Sequence, residues 1–576
     1  MTRVAPTTSD SIDGTEARVC AVDRAPPTSP VHHIVVLTAG EARRLWPLTF
    51  STPKALLPVG GRPAVFHMLG QLFSRGLERV TIVTTPQHRA VLEHTVEGSL
   101  ANAPLAVDFV EQHTAKGPGH ALSLVAPLLS GPVVVLLADT LCEIPHQLPE
   151  DWVGVADVEA VSRSAYCMVR ADGDGIATTL TDKPVHPAEG RAAVGIYGFG
   201  SIEALCRAMS PSELRRSPRT NEIELSHIID QYRTVKPMRA ISVEGWRDLG
   251  TLRSYSKAVR ESLPGRRDTQ LTVTANGWIT KRSLSSEETI ADEAAWFSNV
   301  PDAIHALVPR KVGDADESYE IEYMDYPTLG ELFTFGGVTT EDWPAVIGDL
   351  VAVLAESLWA ENRPVPDMEQ RCRAMYLDKT LKRLHEWDRT DLLTLDAYEC
   401  NGVAVPGFQD LWDLIEPAIE DICVGSAPHS SLIHGDLCFS NILLSPHARL
   451  FRLIDPRGWF GERDAVGDRR YEAAKLRQCY HGLYDLIIAD LFSIEEPRPG
   501  TFELNLFPAR QADPAALDAI VSVASGVDIR EVQLIEGLLF LSMLPLHADA
   551  PRRQLAFFVK ALECLAPWWA PRVPLA

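Results

Sequence analysis

The sequence predicts a two-part α/β chain: an open parallel sheet first, then an α+β part. Three observations predict it. Short, fully apolar strands alternate with helix-like stretches from residue 33 to residue 137, the pattern of a parallel sheet buried on both faces. A polar break, Pro264-Gly265-Arg266-Arg267-Asp268, interrupts the chain. Beyond it, Leu432 to Gly458 reads LIHGDLCFSNILLSPHARLFRLIDPRG. Two apolar strands there gather Asp436, Asn441 and Asp455 at one edge. A chain of 576 residues is too long for one domain, and its 46% hydrophobic content allows sizeable cores.

Residues 1–30 are rich in Thr, Ser, Pro and Asp and lack an apolar run. They read as a disordered tail rather than a signal peptide or anchor. His33-Ile34-Val35-Val36-Leu37 is the first strand, and it runs into Thr38-Ala39-Gly40-Glu41. A strand that ends in small residues lets backbone N–H groups approach a phosphate chain. Ala39 and Gly40 are therefore candidate nucleotide contacts, and Arg44 and Lys54 are cations on the same proline-stiffened loop. Pro63 to Arg75 and His88 to Leu100 have helical periodicity, while Val80–Thr84, Leu105–Val110 and Val133–Leu137 continue the sheet. The last of these ends in Ala138-Asp139, which places a carboxylate at the carboxyl end of a parallel strand, facing the ligand crevice.

The run from Arg44 to Val59 resembles the signature of sugar-1-phosphate nucleotidylyltransferases, GxGTRxxPLTxxxPKxxxPV, with Ala42 in place of the second glycine and Arg43 in place of the threonine. Gln112 and Gly117-Pro118-Gly119-His120-Ala121 resemble that family's base-reading loop. Asp182-Lys183-Pro184, Ala193-Val194-Gly195-Ile196-Tyr197 and Trp246-Arg247-Asp248-Leu249-Gly250-Thr251 resemble three later elements, in the family's order. The resemblance covers residues 31–263 and implies a Rossmann-like nucleotidyltransferase sheet. It also implies Mg²⁺ on Asp139 and Asp248, catalytic cations at Arg44 and Lys54, Lys183 on the sugar phosphate, and Gln112 and Gly117 at the base.

After a linker at 264–269 the second part begins. Gln270 to Thr274 and Trp278 to Arg282 form paired strands joined at Ala275-Asn276-Gly277. Lys281 sits on the second strand, and Glu293 lies in the helix-like Glu287 to Phe297. A strand Lys with a helix Glu can orient a triphosphate, and Glu288 competes for the acidic role. Tyr319 to Met324, ahead of Asp325-Tyr326, reads as a strand. Trp343 to Glu361 and Phe408 to Asp421 are amphipathic, Tyr471 to Leu476 begins a helix, and the rest through Trp569 reads as helical.

Phosphoryl transfer needs one carboxylate to accept the proton of the attacking hydroxyl, and a carboxamide and a second carboxylate to hold magnesium. Asn441 follows Asp436 by five residues, the spacing of a kinase catalytic loop. The stretch resembles the aminoglycoside phosphotransferase/choline kinase family. That resemblance implies a bilobal protein-kinase-like fold using ATP and Mg²⁺, with a small lobe at 270–345, a large one at 346–576 and an adenine-binding hinge at Met324. Asp436 would then be the base, Asn441 and Asp455 the metal ligands, and His434 a brace. Pro456-Arg457-Gly458 departs from much of that family and resembles kinase-like proteins of surface-polysaccharide gene clusters.

A formal net charge of -23 disfavours nucleic acid and anionic membrane as partners. The ten cysteines form no CxxC or Cys/His cluster, which argues against zinc or a disulfide framework; Cys438 reads as a small buried thiol. The apolar runs are too short to span a bilayer. The expectation is a soluble cytoplasmic enzyme, possible as an oligomer, with two activities. ATP would phosphorylate a sugar or polyol hydroxyl, and a second NTP would then give an NDP-activated sugar or alcohol. Two alternatives stay open: a choline or amino-alcohol kinase joined to a cytidylyltransferase, or one part serving only as a nucleotide-binding module.

Overall fold

The structure, a computed structural model, describes residues 33–569 except 41, 47, 51, 74–77, 101–105, 187, 211, 218–220, 264–268, 275, 285–286, 316–317, 337, 339, 446–448 and 508–512. The tail read at 1–30, the break at 264–268 and the hairpin tip at Pro446-His447 lie outside the described residues.

In the N-terminal part, β1 (His33–Leu37), α1 (Ala64–Phe73), β2 (Arg79–Thr84), β3 (Ala106–Glu111) and β4 (Val133–Leu137) follow one another. The strands lie parallel in the order β3-β2-β1-β4. Ile34 and Val36 pack with Met68 and Leu69 of α1 in one core, and Val35 and Leu37 pack in a second core on the other face. Burial on both faces is why these strands read as unbroken apolar runs. The chain leaves β1 on one side and reaches β4 on the other, so the crevice at their carboxyl ends is the topological switch point of the sheet.

Next come β5 (Thr140–Glu143), β6 (Trp152–Ala156), β7 (Cys167–Ala171), β8 (Ala177–Asp182), β9 (Arg191–Phe199), β10 (Arg239–Ser242), β11 (Glu244–Asp248) and α2 (Leu252–Glu261). β9 runs antiparallel beside β4 and carries the sheet to nine strands. β11 pairs with β5 outside it, and its register sets Asp248 opposite Thr140. A backbone bond from Leu249 N–H to Asp139 O (2.9 Å) closes that ladder. Two aspartates about a hundred residues apart are thereby brought to one place.

The C-terminal part opens with β12 (Thr269–Val273), β13 (Trp278–Ser283), α3 (Glu287–Asn299), β14 (Lys311–Ala315) and β15 (Ser318–Glu322). Its antiparallel sheet has the order β12-β13-β15-β14. Thr269, read as the last linker residue, already pairs with Ser283. The elements that matter below are α4 (Lys379–His385), the hairpin β16 (Ile442–Ser445) and β17 (Leu450–Leu453), α5 (Arg469–Tyr480) and α6 (Ile529–Met543). One hydrophobic core joins the sheet to the helices, from Ile290 to Trp569.

One expectation is corrected. The stretch after α5 is not helical throughout. Phe492–Arg498 and Thr501–Leu506 form a hairpin within a four-stranded sheet completed by Ala397–Cys400 and Val403–Pro406. Phe492, Ile494, Phe502 and Leu504 are buried and recur every second residue, the strand period that a helical reading overlooks.

Candidate active sites

The crevice at the carboxyl ends of β1 and β4 is a cleft of about 760 Å³, lined by Arg44, Asp139, Tyr166, Lys183, Trp246 and Asp248 among others. Its loop after β1 is three short 3-10 turns, Arg43–Leu45, Leu48–Phe50 and Lys54–Leu56. Ala42, standing where the resembled signature has glycine, adopts a left-handed backbone (φ 48°). That conformation costs an alanine about 1–2 kcal/mol, so the glycine-type bend is kept at a cost in strain. The Thr49 hydroxyl donates to Ala42 O at 3.2 Å and braces the bend.

The Lys54 ammonium is paired with the Asp139 carboxylate. Burial pushes the Asp139 carboxyl up, but Lys54 and then Arg44 outweigh it, and the net direction is down. Asp248 is pushed up, by burial first and by Asp139 second. The Tyr166 hydroxyl donates to Asp248 Oδ2 at 3.2 Å, and its ring meets Trp246 edge-on at 5.2 Å. A Cβ on Gly250 would lie 2.9 Å from Asp248 Oδ1, 3.3 Å from Asp139 Oδ2 and 3.3 Å from Arg44 Nη2. The missing side chain thus leaves a cradle between two carboxylates, a donor set that fits a hard divalent cation such as Mg²⁺.

Lys183 lines this cleft with a left-handed backbone (φ 39°). Gln112 Nε2 lies 3.2 Å from Gly117 O and 2.8 Å from His120 Nδ1, so it braces the loop expected to read the base. Gly117 is required there: its φ is 93°, and a Cβ would meet Glu222 Cβ at 2.7 Å. Ala39 is buried in the core beside β1, Gly40 is exposed, and neither they nor Gln112 and Gly117 border the acid pair. Tyr166 was missed by sequence reasoning because it lies in no recognised motif; only its contact with Asp248 marks it.

Residues 33–264 match the nucleotidyl transferase family. Among curated relatives, a UTP–glucose-1-phosphate uridylyltransferase of Haloferax volcanii is 28% identical over 230 residues, 38% of this chain and 90% of the relative. A glucose-1-phosphate thymidylyltransferase of Actinoplanes sp. is 26% identical over 238 residues, 39% of this chain and 76% of the relative. A solved UDP-glucose pyrophosphorylase in complex with UDP-glucose aligns with 40% of this chain and 98% of its own, at 23% identity and a TM-score of 0.36. The family match ends at residue 264.

That second cleft, about 620 Å³, is lined by Lys281, Met324, Asp436, Asn441 and Asp455, and also by Gly60 and Gly61 of the nucleotidyltransferase domain. The two parts meet beside it: the Arg260 guanidinium of α2 lies 5.2 Å from the Tyr323 ring and 3.6 Å from Asp325. Lys281, placed on β13 opposite Tyr319, reaches Glu293 Oε2 at 2.5 Å and Asp455 Oδ1 at 2.9 Å. The Tyr319 hydroxyl donates to the same Glu293 oxygen at 2.8 Å. Glu293, one of the two acids weighed for this role, pairs with Lys281, and the side chain of Glu288 lies outside the described residues. Burial and, among the charges, Asp455 push its carboxyl up against the opposing pull of Lys281.

Asn441 donates to Asp436 O at 2.9 Å and to Asp436 Oδ2 at 3.2 Å. Asp455 takes a left-handed backbone (φ 56°) just after Ile454 N–H bonds Asn441 O at 3.0 Å. Lys475 Nζ lies 3.0 Å from Asp436 Oδ1, and Arg457 lies 3.9 Å from it. Glu472 accepts the backbone N–H groups of His434 and Gly435, each at 2.9 Å. Burial lifts the Glu472 carboxyl to about 7. His434 is buried with its ring edge-on to Trp296 at 5.6 Å. The Cys438 thiol is buried and pushed up to about 12 by burial, as befits a filler and not a nucleophile. Sequence reasoning missed Lys379, Arg383 and Lys475 as members of this cleft. They come from α4 and α5, and their only local signal is the i,i+4 spacing of Lys379 and Arg383, which places both on one helix face.

Among the described residues, no helix is long and apolar enough to cross a membrane.

Proposed function

We propose that the chain is a bifunctional cytoplasmic enzyme. Its C-terminal domain phosphorylates a hydroxyl of a small metabolite with ATP. Its nucleotidyltransferase domain then joins that phosphate to a nucleotidyl group from a second NTP, giving an NDP-activated sugar or alcohol and pyrophosphate. The observation that carries the kinase half is Lys281 held between Glu293 and Asp455 while Asn441 is hydrogen-bonded to Asp436. A strand lysine, a base, a carboxamide and a second carboxylate line one cleft, with the lysine's helix glutamate buried behind it, which is the set phosphoryl transfer uses.

In the kinase step the acceptor hydroxyl oxygen attacks the γ-phosphorus. Its proton passes to the Asp436 carboxylate, the γ-phosphorus–bridging-oxygen bond breaks, and ADP leaves. Lys281 orients the triphosphate, and Met324 borders the adenine end. Asn441 and Asp455 are oxygen donors that would hold Mg²⁺, which neutralises the phosphates when bound. In the transferase step a phosphate oxygen of the acceptor attacks the α-phosphorus, and pyrophosphate leaves. That oxygen is already ionised near neutral pH, so no general base is needed. Lys54 and Arg44 offset charge on the triphosphate, Lys183 positions the incoming phosphate, and Asp139 with Asp248 would hold the metal. Sugar-1-phosphates are the favoured acceptors, in line with the activities named for the relatives.

The test supplies the full chain with ATP, Mg²⁺, a second NTP and a panel of monosaccharides, polyols and choline, and identifies products by mass spectrometry. An NDP-linked product that needs both triphosphates supports the reading. Pyrophosphate release only from supplied sugar-1-phosphates, with no ATP-dependent phosphorylation of any acceptor, would remove the kinase half.

A further inference from the structure

The C-terminal cleft holds more positive charge than a triphosphate site requires. Lys281 serves Asp455 and Glu293. A second set of cations gathers instead around Asp436, the residue an acceptor hydroxyl must reach. Lys475 and Arg457 approach the Asp436 carboxylate at 3.0 and 3.9 Å. Lys379 and Arg383, one turn apart on α4, line the same cleft.

Tyr471 organises the set. Its hydroxyl accepts from Arg457 Nη1 at 2.7 Å. The Arg457 guanidinium lies 5.7 Å from its ring centre and the Lys379 ammonium 5.4 Å. One rigid aromatic therefore fixes two cations against the catalytic loop. Among the described residues neither Lys379 nor Arg383 forms an ion pair. Lys379 has the Met375 sulfur at 3.9 Å, and Arg383 donates to Ser542 O at 2.8 Å. Burial first, then Arg457, Arg383 and Lys475, push the Lys379 ammonium well below its ordinary value, and Asp436 is the one neighbour pulling it back. Lys475 and Arg457 are thus paired with Asp436, whereas Lys379 and Arg383, beside them in the cleft, have no carboxylate of their own among the described residues, and an anion placed there would supply one. Such a pocket rejects an aminium such as choline and attracts an anion.

We propose that the acceptor taken by the C-terminal site is a small hydroxylated anion, its carboxylate or phosphate held by Lys379, Arg383 and Arg457 while its hydroxyl faces Asp436. This rests on the kinase reading of that cleft and names its substrate class. The reaction product then carries its original anionic group and a new phosphomonoester, and only the latter is made by this chain.

The test is calorimetric binding to the full chain with Mg²⁺ and a non-hydrolysable ATP analogue present. The ligands are matched sets: glycerol, D-glycerate and glycerol 3-phosphate; glucose, gluconate and glucose 6-phosphate. At least one anion should outbind its neutral counterpart by about 10-fold or more, and Lys379→Met or Arg383→Met should weaken it roughly 10–100-fold, the worth of a lost charge-assisted contact. The ATP analogue's affinity should not change in either variant, which also shows that the variant is folded. Preference within a set separates a carboxylate source from a phosphate source. The proposal is overturned if no anion outbinds its neutral counterpart, or if the two variants lose affinity for the ATP analogue instead. Failure of the kinase reading looks different: the wild-type chain would not bind the analogue, or would bind it no better than Lys281→Met.

Discussion

The two clefts hold their lysines differently. Lys54 and Asp139 meet with side chains 17% and 21% exposed, from a loop and a strand end at the edge of a sheet. Lys281 and Glu293 meet with side chains 2% and 3% exposed, from a strand and a helix packed together. An open site can be built on loops because water screens a misplaced charge. A closed one needs rigid elements, because a buried charge without its partner is costly. The first cleft keeps its ion pair partly open to solvent. The second is walled in, in part by Gly60 and Gly61 of the other domain.

The largest expected effect separates the clefts outright. Asp436→Ala should lower ATP-dependent phosphorylation by about 10²–10⁴-fold, the usual cost of losing a general base, and leave nucleotidyl transfer to a supplied sugar-1-phosphate intact. Asp139→Asn should do the reverse, abolishing pyrophosphate release while phosphorylation continues. Both rates falling together in either folded variant would break the two-site comparison.

Burial should then show in stability. Lys281→Met strands Glu293 in the core and should cost about 3–5 kcal/mol, as removal of one partner of a buried pair does. Lys54→Met, at a partly exposed pair, should cost about 1 kcal/mol or less. Denaturant unfolding of both variants gives the two numbers, and equal losses would erase the distinction between an open and a closed cleft.

That same difference decides what was legible in the sequence. The loop after β1 is contiguous, so Arg44 and Lys54 stand out from the order of residues alone, and Asp139 stands out separately at the end of an apolar strand. Asp248 needed a later motif, and its approach to Asp139 through the β5–β11 ladder was invisible. In the second cleft Asp436 to Asp455 is one readable run. Lys281 and Glu293 could be proposed only as a strand–helix pair, with Glu288 as a rival. Lys379, Arg383 and Lys475 were silent, because isolated cations on helices look like solvated faces until packing turns them inward. The hairpin at 492–506 was misread for a different reason: its period-two pattern is short and lies among long helices.

A smaller effect concerns pH. The Glu472 carboxyl, under the catalytic loop, is lifted from 4.5 to about 7 by burial. The folded state therefore binds that proton more tightly than the unfolded chain does, and this group's contribution to stability falls as pH rises from 4.5 to about 7. Glu472→Gln cannot titrate and keeps only the neutral form. It should be less stable than wild type at the acid end, having lost one acceptor for the backbone N–H groups of His434 and Gly435. The gap in Tm between the two proteins should then narrow as pH approaches neutrality. A gap that widens over that range would mean that the ionised carboxylate is the form the loop holds.

The smallest expected effect tests whether the two clefts are independent at all. Arg260 belongs to the nucleotidyltransferase domain, yet its guanidinium lies over Tyr323 at 5.2 Å and beside Asp325 at 3.6 Å. Tyr323 and Met324 border the second cleft, so this contact ties the N-terminal part to the wall of that cleft. A cation–π contact at a part-exposed site is worth about 0.5–1 kcal/mol, which corresponds to a change of roughly 2–5-fold. Arg260→Ala should therefore raise the KM for ATP in the kinase assay by about that factor, with kcat little changed, since Asp436, Asn441 and Lys281 are not touched. The ion pair with Asp325 is exposed on both sides and should add little, so Asp325→Asn should have a smaller effect than Arg260→Ala. Nucleotidyl transfer in Arg260→Ala serves as the internal control: it should match wild type, because Arg260 is not among the residues lining the first cleft. An unchanged KM for ATP would mean that the wall formed by the neighbouring domain only packs against the kinase cleft. A rise confined to ATP, with transferase kinetics intact, would mean that the second cleft's nucleotide affinity is set partly by residues of the first domain.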